Sequence, residues 1–201
     1  MGQALAEARV PSDPGRGPTP GATIVFADDT TVRSDHHAGT TWPSVGATPV
    51  VTAAGVRFAL NLISAVAPAG TLRFRIIPGT LTAPRFIDVG RRLCTDAGCP
   101  EFLIVDGHAV HRSAAVARYV ASTKGQLRLF FLPHYSSQLN PDEWVWRNVK
   151  GHRLGCSQVT DAADLQRRVL SALHRLQRML HLVRGFFHHP ALRYVLRPNV
   201  R

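Results

Sequence analysis

Two short apolar runs in this chain each stop at an aspartate. Thr23–Ala27 (TIVFA) runs into Asp28-Asp29, and Phe102–Val105 (FLIV) runs into Asp106. Runs of four or five apolar residues are too short for a helix and read as buried strands. Side chains alternate along a strand, so Ile24, Phe26 and Asp28 share one face while Val25, Ala27 and Asp29 share the other. Only one of the two adjacent aspartates can therefore address a given site. Asp106 falls on the face of Phe102 and Ile104.

The rest of the chain alternates around these runs. Residues 1–22 hold Pro11, Pro14, Pro18 and Pro20 with Gly15, Gly17 and Gly21, and are expected to be a flexible leader to a single domain over 23–201. Thr30–Ala47 reads as polar with turn signals, Pro49–Thr52 and Val56–Val66 as strands, and Pro68–Gly70 as a turn into a strand at Leu72–Ile77. Helical spacing covers Thr82–Thr95, Ser113–Ala121 and Asn140–Val149, with a further strand at Leu127–Leu132. Leu165, Val169, Leu173, Leu176, Leu180, Val183 and Phe187 form one apolar stripe, which predicts a single long amphipathic helix over Asp161–Phe187. Leading strands followed by alternating helices and strands indicate an α/β domain with a mixed sheet.

Charge narrows the partner. The net charge is +11, and residues 151–201 carry nine arginines against only Asp161 and Asp164. A basic excess gathered at one end suits a polyanion, and 22 of the 24 basic residues are arginine, the better phosphate fork. Mean hydropathy is −0.03. No apolar run reaches the roughly 18–20 residues of a membrane span, and no signal peptide opens the chain. Cys94, Cys99 and Cys156 are too few and too scattered for a disulfide framework, which fits a reducing cytoplasm. His36-His37 and His188-His189 lack the partners that a zinc site needs.

A third acid, Glu143, opens a helix in Leu139-Asn140-Pro141-Asp142-Glu143. Asn140 suits the N-cap, Pro141 the first helical position, and Asp142 and Glu143 the positive end of the helix dipole. Each acid alone could serve as a cap or a loop residue. Together, acids at strand ends are a recurring way to hold Mg²⁺, which keeps much of its shell for water and phosphate. Two such ions activate a nucleophile and stabilise a leaving oxygen in phosphodiester chemistry.

The residues around these acids resemble a family. Phe102–His111 (FLIVDGHAVH) is similar to the second catalytic block of bacterial insertion-sequence transposases related to the mariner group, in which a histidine follows the aspartate by five residues. Leu129–Lys150 (LFFLPHYSSQLNPDEWVWRNVK) resembles the third block through Leu132-Pro133, Tyr135-Ser136, Asn140-Pro141, Glu143, Trp146 and Lys150. Val25–Asp29, with Trp42, Gly46, Thr48 and Pro49 downstream, resembles the first block. Asp106 and Glu143 stand 37 positions apart, within the range these transposases use. The resemblance implies an RNase H-like fold with a mixed five-stranded sheet flanked by helices. It also implies two Mg²⁺ or Mn²⁺ ions, catalytic and metal-holding Asp28, Asp106 and Glu143, and cleavage and strand transfer of DNA.

Further expectations go with it. His111, Lys150, Arg167, Arg168, Arg175 and Arg178 are candidates for contacts to DNA, with His108 and His111 positioning phosphate or a strand end. Trp42, Trp144 and Trp146 could stack on bases, though core packing suits Trp146 better. The partner is DNA together with a second copy or a partner transposase subunit, in the bacterial cytoplasm near the nucleoid. Asp29 stands where glutamate is usual in the family, and Ser137 where proline is. Relatives carry a helix-turn-helix domain ahead of the core, whereas only about 22 residues precede it here, so the sequence predicts a truncated chain. The alternative to an enzyme is an idle remnant that only binds DNA or inhibits an intact transposase.

Overall fold

A computed structural model describes residues 21–35, 57–98, 100–134, 136–151, 159–192 and 195. The proposed leader up to residue 20, the strand expected at Pro49–Thr52, Trp42 and its neighbours in the first block, and Tyr135 lie outside the described residues. Five strands form one sheet: β1 (Thr23–Arg33), β2 (Ala59–Val66), β3 (Leu72–Ile77), β4 (Glu101–Val105) and β5 (Leu127–Phe131), in the order β3-β2-β1-β4-β5. β1, β2 and β3 pair antiparallel, while β4 and β5 continue from β1 in parallel. The helices are α1 (Ala83–Ala97), α2 (Ala114–Ser122), α3 (Asp142–Val149), α4 (Ala162–Arg178) and α5 (Leu180–Phe186).

The alternation of side chains along β1 and β4 sorts the core into two layers. Phe26 and Ile104 join Trp146, Val149, Leu165, Val169, Leu173 and Phe187 on the face covered by α3, α4 and α5. Val25, Ala27, Leu103 and Val105 join Phe86, Val89, Leu93 and Val116 on the face covered by α1 and α2. Strands buried on both faces explain why β1 and β4 read as unbroken apolar runs.

Two boundaries differ from the sequence reading. β1 does not end at Ala27 but continues to Arg33, with Asp28–Arg33 laddered against Ser64–Ala59 of β2. Its polar half is held by pairing, with Val32 fully buried and Thr31 Oγ1 donating to Asn61 Oδ1 at 2.6 Å. The C-terminal helix is likewise two helices, broken at Met179 with φ −100° and ψ 59°. The stripe stays buried at Leu165, Val169, Leu173, Leu176, Val183 and Phe187, while Leu180 turns out to 49% exposure.

The break seats α5 on the β2–β3 turn. Gly70 has φ +91°, and a Cβ there would meet the Leu180 carbonyl at 2.8 Å, so glycine is required twice over. Arg184 Nε donates to Ala69 O at 2.8 Å, and Gln177 Nε2 to Leu72 O at 2.8 Å.

Trp146 of α3, 2% exposed, packs in the layer shared with α4, and its indole N–H has no hydrogen-bond partner among the described residues. It is a core residue and does not stack on bases. Trp146→Ala is expected to cost about 3–5 kcal/mol in urea unfolding. Trp146→Phe should cost distinctly less, because it refills most of the volume and removes the orphaned donor.

Candidate active site

The parallel register of β1 and β4 determines where the first two acids stand. Phe26 pairs with Ile104 at the last rung of the ladder. Two residues further on, Asp28 and Asp106 come level on the same face, where the strands cease to pair. Glu143 arrives from α3. Asn140, in extended conformation, accepts the Asp142 amide at its Oδ1 at 3.1 Å and the Glu143 amide at its carbonyl at 3.2 Å, which starts the helix where the sequence pattern expects it. Asn140 Nδ2 reaches back to Ala27 O at 3.5 Å, tying this start to β1.

Asp28, Asp106 and Glu143 line one open cleft of about 260 Å³, together with Gly107, His108, Leu132, Pro133, His134, Ser136, Ser137 and Asn140. The three acids chosen from sequence are therefore brought together. Asp29 is exposed and does not line the cleft, whereas Asp28 does.

The cleft is under electrostatic load. Burial pushes the Asp28 carboxyl from the ordinary 3.8 up to about 8, with further upward pressure from the charges of Glu143, Asp29 and Asp106. Behind it lies a fourth acid that sequence reasoning assigned only to the helix dipole. Asp142 is fully buried, and its carboxyl is raised well above the usual range, by burial first and by Asp28 second. Ser64 Oγ donates to its Oδ1 at 2.7 Å, while Oδ2 has no partner among the described residues. The signal for Asp142 was its place at the head of the buried row Asp142, Val145, Trp146 and Val149, which follows helical spacing.

His111, expected near DNA, is 3% exposed and cannot reach a phosphate. Its Nδ1 lies 2.8 Å from Asp106 Oδ1, its ring packs on Phe86 with centroids 4.5 Å apart, and its Nε2 is buried without a partner among the described residues. A backbone amide, that of His108, donates to the same carboxylate oxygen at 3.1 Å. These contacts orient Asp106. Lys150 Nζ donates to Thr30 Oγ1 at 2.9 Å and so braces β1. On α4, Arg167 and Arg168 both hold Asp164, at 2.7 and 2.8 Å, whereas Arg175 and Arg178 are exposed with no carboxylate partner among the described residues.

Crowded carboxylates suit a hard divalent cation, which would relieve their repulsion. The cleft is not a closed cage. Among the described residues no three His, Cys, Asp or Glu side chains converge tightly enough to hold an ion alone. A cation there would complete its shell with water or a phosphate oxygen, as Mg²⁺ usually does.

The family model of the DDE superfamily endonucleases matches residues 23–166. The chain belongs to that family. The match takes in all three acids and every strand of the sheet. No curated protein matches the chain. Among solved structures, the catalytic domain of Mos1 mariner transposase superposes with a TM-score of 0.54 at 15% identity, over 85% of this chain and 81% of that one. A pre-cleavage Mos1 transpososome gives 0.61 at 15% identity, and a Mos1 mariner paired end complex with Mn gives 0.59 at 17%. These cover 87% and 86% of this chain and 55% of each of those. This DDE endonuclease-family chain therefore spans about 55% of the length of the longer Mos1 chains it matches. Its fold is the RNase H-like α/β fold of the Mos1 catalytic domain. Among the described residues, no helix is long and apolar enough to cross a membrane.

Two stability effects follow from this electrostatic load. Because the Asp28 carboxyl is raised on folding, the folded chain keeps a proton that the unfolded chain releases, so metal-free stability falls as pH rises from about 4 towards about 8. Asp28→Asn should remove that slope and raise unfolding free energy at pH 8 by about 1–3 kcal/mol. Thermal unfolding in EDTA at pH 5 and pH 8 measures it, and equal gains at both pH values would refute the electrostatic cause. Ser64→Ala strips the buried Asp142 of its donor and should cost about 1–3 kcal/mol in the same assay.

Proposed function

We propose that this chain is the catalytic domain of a DNA transposase that cuts and rejoins phosphodiesters with Mg²⁺ or Mn²⁺. The observation that carries the reading is the convergence of Asp28, Asp106 and Glu143, far apart in sequence, on one cleft. The basic balance of the chain and its likeness to a Mos1 strand transfer complex and a pre-cleavage Mos1 transpososome support it.

Asp28, Asp106 and Glu143 would hold the cation, or a pair of them. Bound there, the metal would supply a nucleophilic oxygen at neutral pH and stabilise the leaving oxygen. The protein's own part is positional. Asp106 is held by His111 and the His108 amide, Asp28 by the β1 ladder, and Glu143 by the first turn of α3. Arg175 and Arg178 are the free guanidiniums of α4 suited to a DNA backbone or to a second copy of the chain. DNA is the partner, and a dimer acting in the bacterial cytoplasm, near the nucleoid, is the assembly this reading favours. Residues 23–201 form the catalytic unit, with residues 1–22 as its leader.

Asp28→Ala, Asp106→Ala and Glu143→Ala should each lower Mg²⁺-dependent nicking of supercoiled plasmid by at least 100-fold, while gel-shift affinity for DNA stays within a few-fold. A wild-type chain that shifts DNA without ever nicking it would instead be an idle DNA-binding remnant. Persistence of nicking in all three variants would remove the site assignment.

A further inference from the structure

On the rim of the cleft, two side chains stand together outside every contact used so far. Phe131 ends β5 with 41% of its surface exposed. Arg112 lies over it, with Cζ 4.7 Å from the ring centroid. A single exposed ring is ordinary on any protein surface. This one differs in carrying an exposed guanidinium that pairs with no carboxylate among the described residues. Arg73, Arg75, Arg167 and Arg168, by contrast, each hold an acid.

Both residues are tied to the cleft wall. Phe131 leads directly into Leu132 and Pro133, which line the cleft, and Leu132 N donates to Val105 O at 2.8 Å, one residue before Asp106. Arg112 lies against the residue after Asp106. A Cβ on Gly107 would stand 3.3 Å from Arg112 Nη2 and 3.5 Å from both Arg112 Nε and His134 Cε1. The guanidinium, His134 and Asp106 thus share one short stretch of wall, and the glycine leaves room for the arginine to lie there.

We propose that Arg112, braced from beneath by Phe131, is a seat for one unpaired nucleotide beside the phosphodiester presented to the acids. The inference rests on the nucleic-acid reading above and adds to it the strand form that the rim prefers. A guanidinium is planar, so it stacks on a base while its N–H groups fork onto the adjoining phosphate. The faces of a base inside a duplex are covered by its neighbours. Only a splayed or single-stranded base can use a flat cationic surface, and stacking of this kind is indifferent to sequence. A lone phosphate contact would need the charge but not the ring beneath it.

The test uses the full chain with Ca²⁺ in place of Mg²⁺ and follows fluorescence anisotropy of a labelled 12-nucleotide single strand and of its duplex. Arg112→Lys keeps the charge and loses the plane. It should weaken single-strand binding roughly tenfold or more, and duplex binding by clearly less. Phe131→Ala should behave in the same way, and Phe131→Trp should restore single-strand affinity. Full single-strand affinity in Arg112→Lys would overturn the proposal in favour of a plain phosphate contact. Equal losses for both strand forms, alongside a lowered melting temperature, would overturn it in favour of a structural role. Plasmid nicking by the wild-type chain is scored in parallel, so a chain that nicks while its rim variants bind normally sinks this inference and leaves the function standing.

Discussion

Parallel pairing of β1 with β4 brings Asp28, midway along β1, level with Asp106, just past the end of β4, and the fold must then carry the repulsion between them. The rung Phe26–Ile104 is the last of that ladder, so the strands part where the acids begin. α3 adds Glu143 at the mouth and the buried Asp142 behind Asp28. Much of the surrounding structure restrains these carboxylates. His111 holds Asp106 from the side, Ser64 holds Asp142 from β2, and Asn140 links the start of α3 to the backbone of β1.

The places of the three acids were legible in the sequence because each sits at a change of pattern, although β1 runs on past Asp28. An apolar run stops at Asp28 and at Asp106, and the Asn140-Pro141 pair announces the helix that carries Glu143. Side-chain alternation reduced Asp28 and Asp29 to a choice, and Asp28 is the one that lines the cleft. The family resemblance added the roles. Its third block, which carries Asn140-Pro141 and Glu143, falls wholly inside the matched segment 23–166 that establishes membership.

What stayed hidden depended on partners remote in the chain. The polar half of β1 is a strand because β2 lies against it, and the pattern of Asp28–Arg33 alone says turn. The break at Met179 has no proline or glycine to mark it. It follows from the seat that Gly70 offers to the Leu180 carbonyl, more than a hundred residues earlier in the chain. Asp142 looked like a dipole residue until the depth of α3 was known, and His111 looked like a surface contact until Phe86 was found against it. Arg167 and Arg168 looked free until Asp164 was seen to hold both.

The raised carboxyl of Asp28 also bears on what the fold tolerates at that position. A group that its surroundings keep protonated strains the fold once it ionises, so a neutral side chain of similar shape in its place would leave a sturdier protein. Sturdiness and an ionised carboxylate in the cleft therefore pull position 28 in opposite directions.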